Sequence, residues 1–559
     1  MSESQIYNHC CDLGYHPLIS SFIDSQEFLK TTEDLQAFLA KNKKGLHSPF
    51  LLSHMTKAVE RVKKALDSKE KVLIFGDFDA DGVSATCIMY WGLRKAKKGF
   101  IPEVFFPNRL SEGHGLQDQH IESFIKQDIN LIITVDCGMG DKEAITLAQS
   151  KGIDVIVVDH HMADKDMDYA YAVVNPRHDD YPFPSLAGAG VSYKLIQGLH
   201  SSLFGEDSDS YKDVCENLLD YLVIGTIGDL VSMTGENRIL VSHGLQHMNQ
   251  SNFPFLKDYW QYKILKKQLN ETFNEEHISF YMAPRINAAS RLEDAKHAFN
   301  FLVSVSQKAL VKNGDYIEQL NEDRRSRLSA LEKSKELEIF EFDNIPLVMV
   351  DTHSKELGLL GLLASRFNDL HDKSAIVLGS KDGETLTASC RGDGKINFFN
   401  ILTSMNELLT KYGGHKAAAG FSVKREDFPK LVAKMKQISF EEEEVEPTVE
   451  KISDIEIDAR DLSEEFLDQI LSLGPFGEGF RKPLLKITNL RINFSKQIGK
   501  DGSTLSFGFK GHNNATIRGI GFGYGEQLQQ VKQSNQIYGY LSYNYFYKKE
   551  MQLRLVDFD

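Results

Sequence analysis

At 559 residues the chain is too long for one hydrophobic core, and about three or four domains are expected. Its hydrophobic fraction of 42% and charged fraction of 26% are those of ordinary globular protein, and no apolar run approaches the ~18 residues of a membrane span. The start, "MSESQIYNHCCDLGYHPLISSF", lacks the basic region and long apolar stretch of a signal peptide, and the six cysteines show no C-x-x-C pair. A soluble cytoplasmic protein with reduced thiols is expected. The net charge of −15 argues against a broadly basic nucleic-acid binder. It excludes little more, because a basic groove needs only local charge and metal-holding carboxylates add to the negative count.

In chain order, residues 1–50 are polar with scattered apolar positions and are expected to pack on the domain that follows. Leu51, Met55, Val59, Val62 and Leu66 then recur at helical spacing. The runs "KVLIF", "LIITV" and "IDVIVV" read as strands, and "GDKEAITLAQSKG" between the last two reads as an amphipathic helix closed by Gly152. Such alternation predicts a mostly parallel sheet with helices on both faces over 51–300. The charged stretch 321–338 reads as a helix within a connector at 301–340. "IPLVMV" and "SAIVLG" flank the helical "GLLGLLASRFNDL" and suggest a smaller α/β domain at 341–440. An acidic linker at 441–450, which contains "EEEEVEP", precedes short aromatic-rich strands that suggest a small β-barrel at 451–559.

In an open parallel sheet, functional groups gather beyond the carboxyl ends of the strands. Here "KVLIF" is followed by Asp77, Asp79 and Asp81, "LIITV" by Asp136, and "IDVIVV" by Asp159, His160 and His161. A fourth apolar stretch, "YLVIGTIGDLV", brings Asp229. One aspartate is most often a turn residue or helix cap. Four strand ends that deliver carboxylates and imidazoles to one edge require compensating cations. Such donors suit Mn²⁺ or Mg²⁺ better than the thiolate sites zinc often favours. Two ions about 4 Å apart, bridged by one carboxylate, can activate water and stabilise the leaving oxygen of a phosphodiester.

The ordered set "GDFDADG", "FFPNRLSEGHGL", "LIITVDCG", "VVDHH", "IGTIGDLV", "GENRIL" and "APRINAASRL" resembles the DHH phosphoesterase superfamily and, within it, the RecJ family of single-strand exonucleases. Downstream, "GLLGLLASR", "ASCRG" and "YGGHKAAAGF" are similar to its DHHA1 domain, and "LGPFGEG" lies where its oligonucleotide-binding (OB) barrel begins. The resemblance implies degradation of single-stranded DNA from the 5′ end to 5′ mononucleotides in recombination and repair, with two Mn²⁺ or Mg²⁺ ions. The chain is expected to be a monomer, off the membrane, with a single-strand-binding protein and a helicase as candidate partners. Asp79, Asp81, Asp136, His160 and Asp229 match the metal ligands, with Asp136 the expected bridge and Asp77 at the first acidic position. Asp159 is expected to orient His160, and His161 to contact the scissile phosphate. Arg109, Ser389 and Arg391 match a pocket for the 5′-terminal phosphate, and Arg285 is a further candidate. His415 is expected either to reach substrate or to pack at a helix start, and Asn287 to touch substrate or hold a loop. On the barrel, Phe507, Phe509, Tyr543, Tyr545 and Phe546 are candidates for stacking bases.

Some departures stand out. Phe75 occupies a position where some relatives place a histidine, Ser290 replaces a usual glycine, and Glu356 aligns where a histidine is usual. "GEGFRKP" lacks the asparagine usual after the second glycine. None removes a core carboxylate. The alternative readings are a DHH enzyme for short oligoribonucleotides or linear dinucleotides, and a non-catalytic scaffold. A distant barrel is superfluous for the first, and the second predicts lost ligands.

Overall fold

The computed structural model describes residues 4–162, 168–178, 181–250, 259, 272–342, 345–438, 453–499, 502–545 and 549–559. The acidic linker 441–450 and Phe546 lie outside them. Among the described residues the strands form three sheets.

The first sheet comprises β1 (Val72–Gly76), β2 (Glu103–Phe105), β3 (Leu131–Val135), β4 (Asp154–Val158) and β5 (Ala172–Val174). It is parallel throughout, in the order β2-β1-β3-β4-β5. Alternate residues of β1 enter opposite cores. Val72 and Ile74 pack with the helices Ala80–Ala96, Gly188–Phe204 and Leu219–Gly228. Leu73 and Phe75 pack with Asp118–Lys126 and Lys142–Ser150. Burial on both faces is why these strands read as unbroken apolar runs. After β1 the chain goes to one side (β2) and then to the other (β3), so the crevice beyond β1 and β3 is the topological switch point.

The stretch "YLVIGTIGDLV" is not a fourth strand end. It is the helix Leu219–Gly228, and Asp229 is its C-cap. Residues 219–227 are all buried, so no polar stripe marks the stretch as helical in the sequence.

The second sheet has the order β10-β11-β9-β8-β7-β6. Its strands are β6 (Glu338–Glu341), β7 (Leu347–Asp351), β8 (Ser374–Gly379), β9 (Thr385–Arg391), β10 (Leu409–Gly414) and β11 (Ala418–Lys424). Only β7 and β8 pair in parallel, across the helix Leu360–His371. The connector helix spans Gln307–Glu332, earlier than the expected 321–338. Glu338 already opens β6, because pairing with β7 overrides the helical propensity of "KELE".

The third sheet, in the order β12-β13-β17-β18-β16-β15-β14, contains β12 (Ile455–Asp458), β13 (Leu485–Thr488), β14 (Ile492–Ile498), β15 (Thr504–Lys510), β16 (Thr516–Phe522), β17 (Ile537–Asn544) and β18 (Glu550–Phe558). The N-terminal helices Gln5–Asp12, Pro17–Asp24 and Thr32–Ala40 share its core, where Ile19, Phe22 and Phe38 meet Ile455, Leu467 and Phe480. This corrects the expectation that residues 1–50 pack on the first α/β domain. The first sheet is already covered on both faces, whereas the third offers an apolar surface. Among the described residues, the end of the segment reaches the first domain, with Leu46 against its core, His47 N–H on Glu236 Oε1 (2.8 Å) and His243 on Lys41 O (2.9 Å). Arg238 joins all three parts. It donates to Pro475 O (2.7 Å) and Leu473 O, and its guanidinium carbon lies 3.8 Å over the Phe38 ring.

Candidate metal centre and phosphate pocket

At the switch point the chain turns sharply after Gly76. Asp79 caps the helix Ala80–Ala96, its Oδ1 accepting from Asp81 N–H (2.9 Å) and Gly82 N–H (3.1 Å). A Cβ on Gly82 would stand 2.3 Å from Asp77 O, so only glycine lets the turn close. Asp81 accepts from Gly188 N–H (2.7 Å) and Ala189 N–H (2.9 Å) at the start of another helix. A side chain at Gly188 would meet Asp136 Oδ1 at 2.5 Å. Asp136 itself sits at φ 61°, the left-handed region, with its N–H on Val158 O at 2.9 Å. Such backbone strain in a non-glycine residue is characteristic of functional sites.

These turns bring together all six predicted metal ligands. His160 Nε2 lies 3.2 Å from Asp136 Oδ1, 3.5 Å from Asp229 Oδ2 and 4.0 Å from Asp81 Oδ2. Asp81, His160 and Asp229 form one group of mutually close donors, and Asp77, Asp79 and Asp136 form a second. Asp136 touches both, the place of a bridge. Asp77 Oδ1, Asp136 Oδ1 and His160 Nε2 are buried without a hydrogen-bond partner. Burial and mutual repulsion hold Asp136 well above the usual carboxylate range. They push Asp81 up to about 7 and Asp229 up to about 9. Burial, helped by the His161 charge, pushes His160 down to about 4, which leaves a neutral ring with a free lone pair. Crowded carboxylates beside a neutral imidazole fit hard divalent cations, whose charge would offset the repulsion.

Asp159 does not orient the His160 ring. Its Oδ1 pairs with His161 Nδ1 (2.7 Å) and accepts from His160 N–H (2.7 Å), while Oδ2 accepts from Met139 N–H (3.1 Å). The His160 ring faces the carboxylates and makes no hydrogen bond to Asp159, although their donor atoms lie within 4.8 Å. The bond to Asp159 raises the His161 pKa to about 9. The His161 side chain is 54% exposed and presents an imidazolium at the mouth of the centre. Arg177, not among the expected site residues, donates to His160 O (2.7 Å).

Beside the carboxylates lies a cluster of arginines. Arg109 packs 4.8 Å over the Phe78 ring, within the fields of Asp77, Asp79 and Arg391. Arg391 donates to Ser389 Oγ (3.2 Å) and Cys390 O (2.7 Å). A Cβ at Gly361 would stand 3.0 Å from Arg391 Nη2, so this glycine keeps the guanidinium open. Arg285 is not part of the cluster. It pairs with Glu318 and donates to Tyr281 O (2.9 Å). The residue in its place is Arg291, which donates to Gly358 O (3.3 Å) and lies in the fields of Arg109, Arg324 and Arg391. Six residues turn a helix by about 240°, so the two arginines of Ala283–Leu292 face different ways. Asn287, four before Arg291, shares Arg291's face. Its Oδ1 accepts from Ala80 N–H (2.8 Å), so it holds the acidic turn. That pairing is the signal that identifies Arg291. His415 is exposed in the turn between β10 and β11, not at a helix start. Phe75 is buried against Phe105, His120 and Phe124.

Phe507 and Phe509 are fully buried in the core of the third sheet and offer no ring for stacking. Tyr543 is half-buried, bonded to Asp468 (2.8 Å), with Lys549 4.0 Å over its ring and the Tyr545 ring 6.1 Å away. A different surface, aromatic and carrying paired charges, adjoins the centre. A 310 Å³ cavity between the first domain and the third sheet is lined by Leu230, Phe280, Tyr540 and Arg554, with Lys482 paired to Glu276 (3.1 Å) and Arg481 to Glu478 (2.9 Å). Arg554 stands over both the Phe280 and Tyr540 rings. Leu230 follows Asp229 directly, which ties the cavity to the metal centre.

Comparison with known proteins accords with this architecture. The DHH family N-terminal domain matches residues 71–226, the DHHA1 domain 345–439 and the RecJ OB domain 453–557. The single-stranded-DNA-specific exonuclease RecJ of Bacillus subtilis is 30% identical over 552 residues, 97% of this chain and 68% of that protein. Its Escherichia coli counterpart is 28% identical over 80% of each chain. The crystal structure of RecJ from Thermus thermophilus in complex with Mn²⁺ superposes with a TM-score of 0.74 at 24% identity, over 99% of this chain and 78% of that one. An exonuclease RecJ bound to manganese gives 0.59 at 27% identity, over 69% and 94%. With its parallel sheet, DHHA1 and OB domains in the same order and a relative of this identity along nearly its whole length, the chain belongs to the RecJ family of exonucleases.

Proposed function

We propose that this protein is a metal-dependent exonuclease that removes 5′ mononucleotides from single-stranded DNA. The observation that carries the proposal is the junction of two opposite charge environments. Buried carboxylates around His160 lie next to Arg109, Arg291 and Arg391, with Ser389, so one phosphodiester can sit on the acidic side while the strand's terminal phosphate sits among the arginines.

Asp77, Asp79, Asp81, Asp136, His160 and Asp229 would hold two Mn²⁺ or Mg²⁺ ions, which supply Lewis acidity toward water and the phosphate oxygens. The residues of the chain do the rest. Arg109 and Arg391 offer planar donors to the terminal phosphate, whose extra negative charge distinguishes an end from an internal linkage. His161, kept protonated by Asp159, offers Nε2–H to a phosphate oxygen where charge grows as the bond breaks. His160, kept neutral by burial, stays a lone-pair donor. Phe280, Tyr540 and Arg554 provide rings and charge on which the following nucleotides stack without regard to sequence.

The test is to incubate purified protein and Mn²⁺ with 5′-labelled single strands, duplexes and dinucleotides, beside an Asp136→Ala control. Release of labelled mononucleotide from single strands alone, absent in the control, is expected. Preferential cleavage of dinucleotides, or equal activity in the control, overturns the proposal.

A further inference from the structure

The two donor groups of the metal centre differ in one respect. Asp81 and Asp229 have an imidazole, His160, within 4.0 and 3.5 Å. Among the described residues, the mutually close group Asp77, Asp79 and Asp136 contains no imidazole of its own, although Asp136 also lies 3.2 Å from His160 Nε2 and is grouped with His160 and His161, and Phe75 is committed to the core. Yet His114, on the loop after Arg109, places Nδ1 3.5 Å from Asp77 Oδ1. That is the spacing His160 keeps from Asp229. Two atoms each about 2.1 Å from one ion, at roughly 90–110°, lie about 3.0–3.4 Å apart, so both spacings stand about 0.1 Å beyond what a shared cation sets. Asp77 is only 7% exposed, and its Oδ1 is buried and accepts no hydrogen bond.

The His114 side chain is 71% exposed, and the loop on which it stands is shaped around it. The ring lies against Phe78 with centroids 4.4 Å apart. Gly113 and Gly115 on either side have φ of 83° and 81°. A Cβ at Gly115 would stand 2.3 Å from Asp141 Oδ1, while Asp141 Oδ2 accepts from Leu116 N–H (2.7 Å). We propose that His114 is an imidazole ligand of the cation held by Asp77, Asp79 and Asp136, so that each of the two cations has one histidine. The inference rests on the metal-dependent reading above and assigns the loop a part in metal affinity.

Metal-stripped full-length protein can be titrated with Mn²⁺ by calorimetry, and the bound ions examined by pulsed EPR for nitrogen coupling. Wild type is expected to bind two ions, each coupled to imidazole nitrogen. His114→Ala and His114→Gln should each weaken one site about tenfold or more and remove nitrogen coupling from that ion only. Unchanged affinity and coupling in both variants overturns the proposal. His160→Ala separates the two readings, because it should remove nitrogen coupling from the other ion. Failure of the wild type to bind Mn²⁺ overturns the metal-dependent reading and this inference together.

Discussion

The first and third sheets use the same raw material, short β-branched and aromatic strands, to opposite ends. In the first, the strands are buried on both faces and every polar group of consequence is pushed beyond their carboxyl ends, where Asp77, Asp136, Asp159 and His160 meet. In the third, aromatic side chains are the core itself: Phe507 and Phe509 lie inside, together with the apolar faces of the N-terminal helices. The difference shows that a residue's chemistry becomes function only where the fold denies it a simpler partner. Asp77 Oδ1 and Asp136 Oδ1 are buried with no hydrogen-bond partner, whereas the phenyl rings have a core to fill.

Changes in the two sheets should therefore act in opposite senses. Asp136→Asn removes one of several crowded charges without changing shape. Exonuclease activity should fall by about a thousandfold or more, the worth of several kcal/mol of charge stabilisation at the phosphate. The unfolding midpoint of the metal-free protein should rise, because burial and repulsion disfavour the ionised carboxylate. A lower midpoint would show that the centre is not electrostatically strained. Phe507→Ala should do the reverse and destabilise the third domain by about 3–5 kcal/mol. Denaturant unfolding measures this, and a selective loss of single-strand affinity without loss of stability would refute its burial. Arg391→Ala should raise KM for a 5′-phosphorylated strand about 10- to 100-fold, the worth of one charge-assisted phosphate contact. The same substitution should matter far less on a 5′-hydroxyl strand, and equal effects on both would remove the arginine from the end pocket. Arg285→Ala should change KM by less than about twofold, since its guanidinium is committed to Glu318. A larger effect would return Arg285 to the substrate.

Much of the site was legible because its residues follow strand ends within a few positions. "GDFDADG", "TVDCG" and "VVDHH" each couple a strand to a ligand, so type and place are read together. Asp229 was legible as a ligand although its element was misread, since a helix buried all round has no polar stripe. Motif position favours Arg285, whereas helical facing favours Arg291, the residue on Asn287's side. Adjacency in the chain pairs Asp159 with His160 as readily as with His161 and does not tell which ring turns toward it.

The sequence by itself determined the parallel sheet, the inventory of carboxylates and imidazoles, and the order of the domains. Periodicity and residue type act over a few positions, and each strand carries its own chemistry at its end. The tertiary structure alone decided which arginine joins Arg109, which aromatics remain available, where the N-terminal helices bury their faces and how close His114 comes to Asp77. Those outcomes depend on contacts between segments far apart in the chain, where burial on one face and competition for partners, not local propensity, set the direction of a side chain.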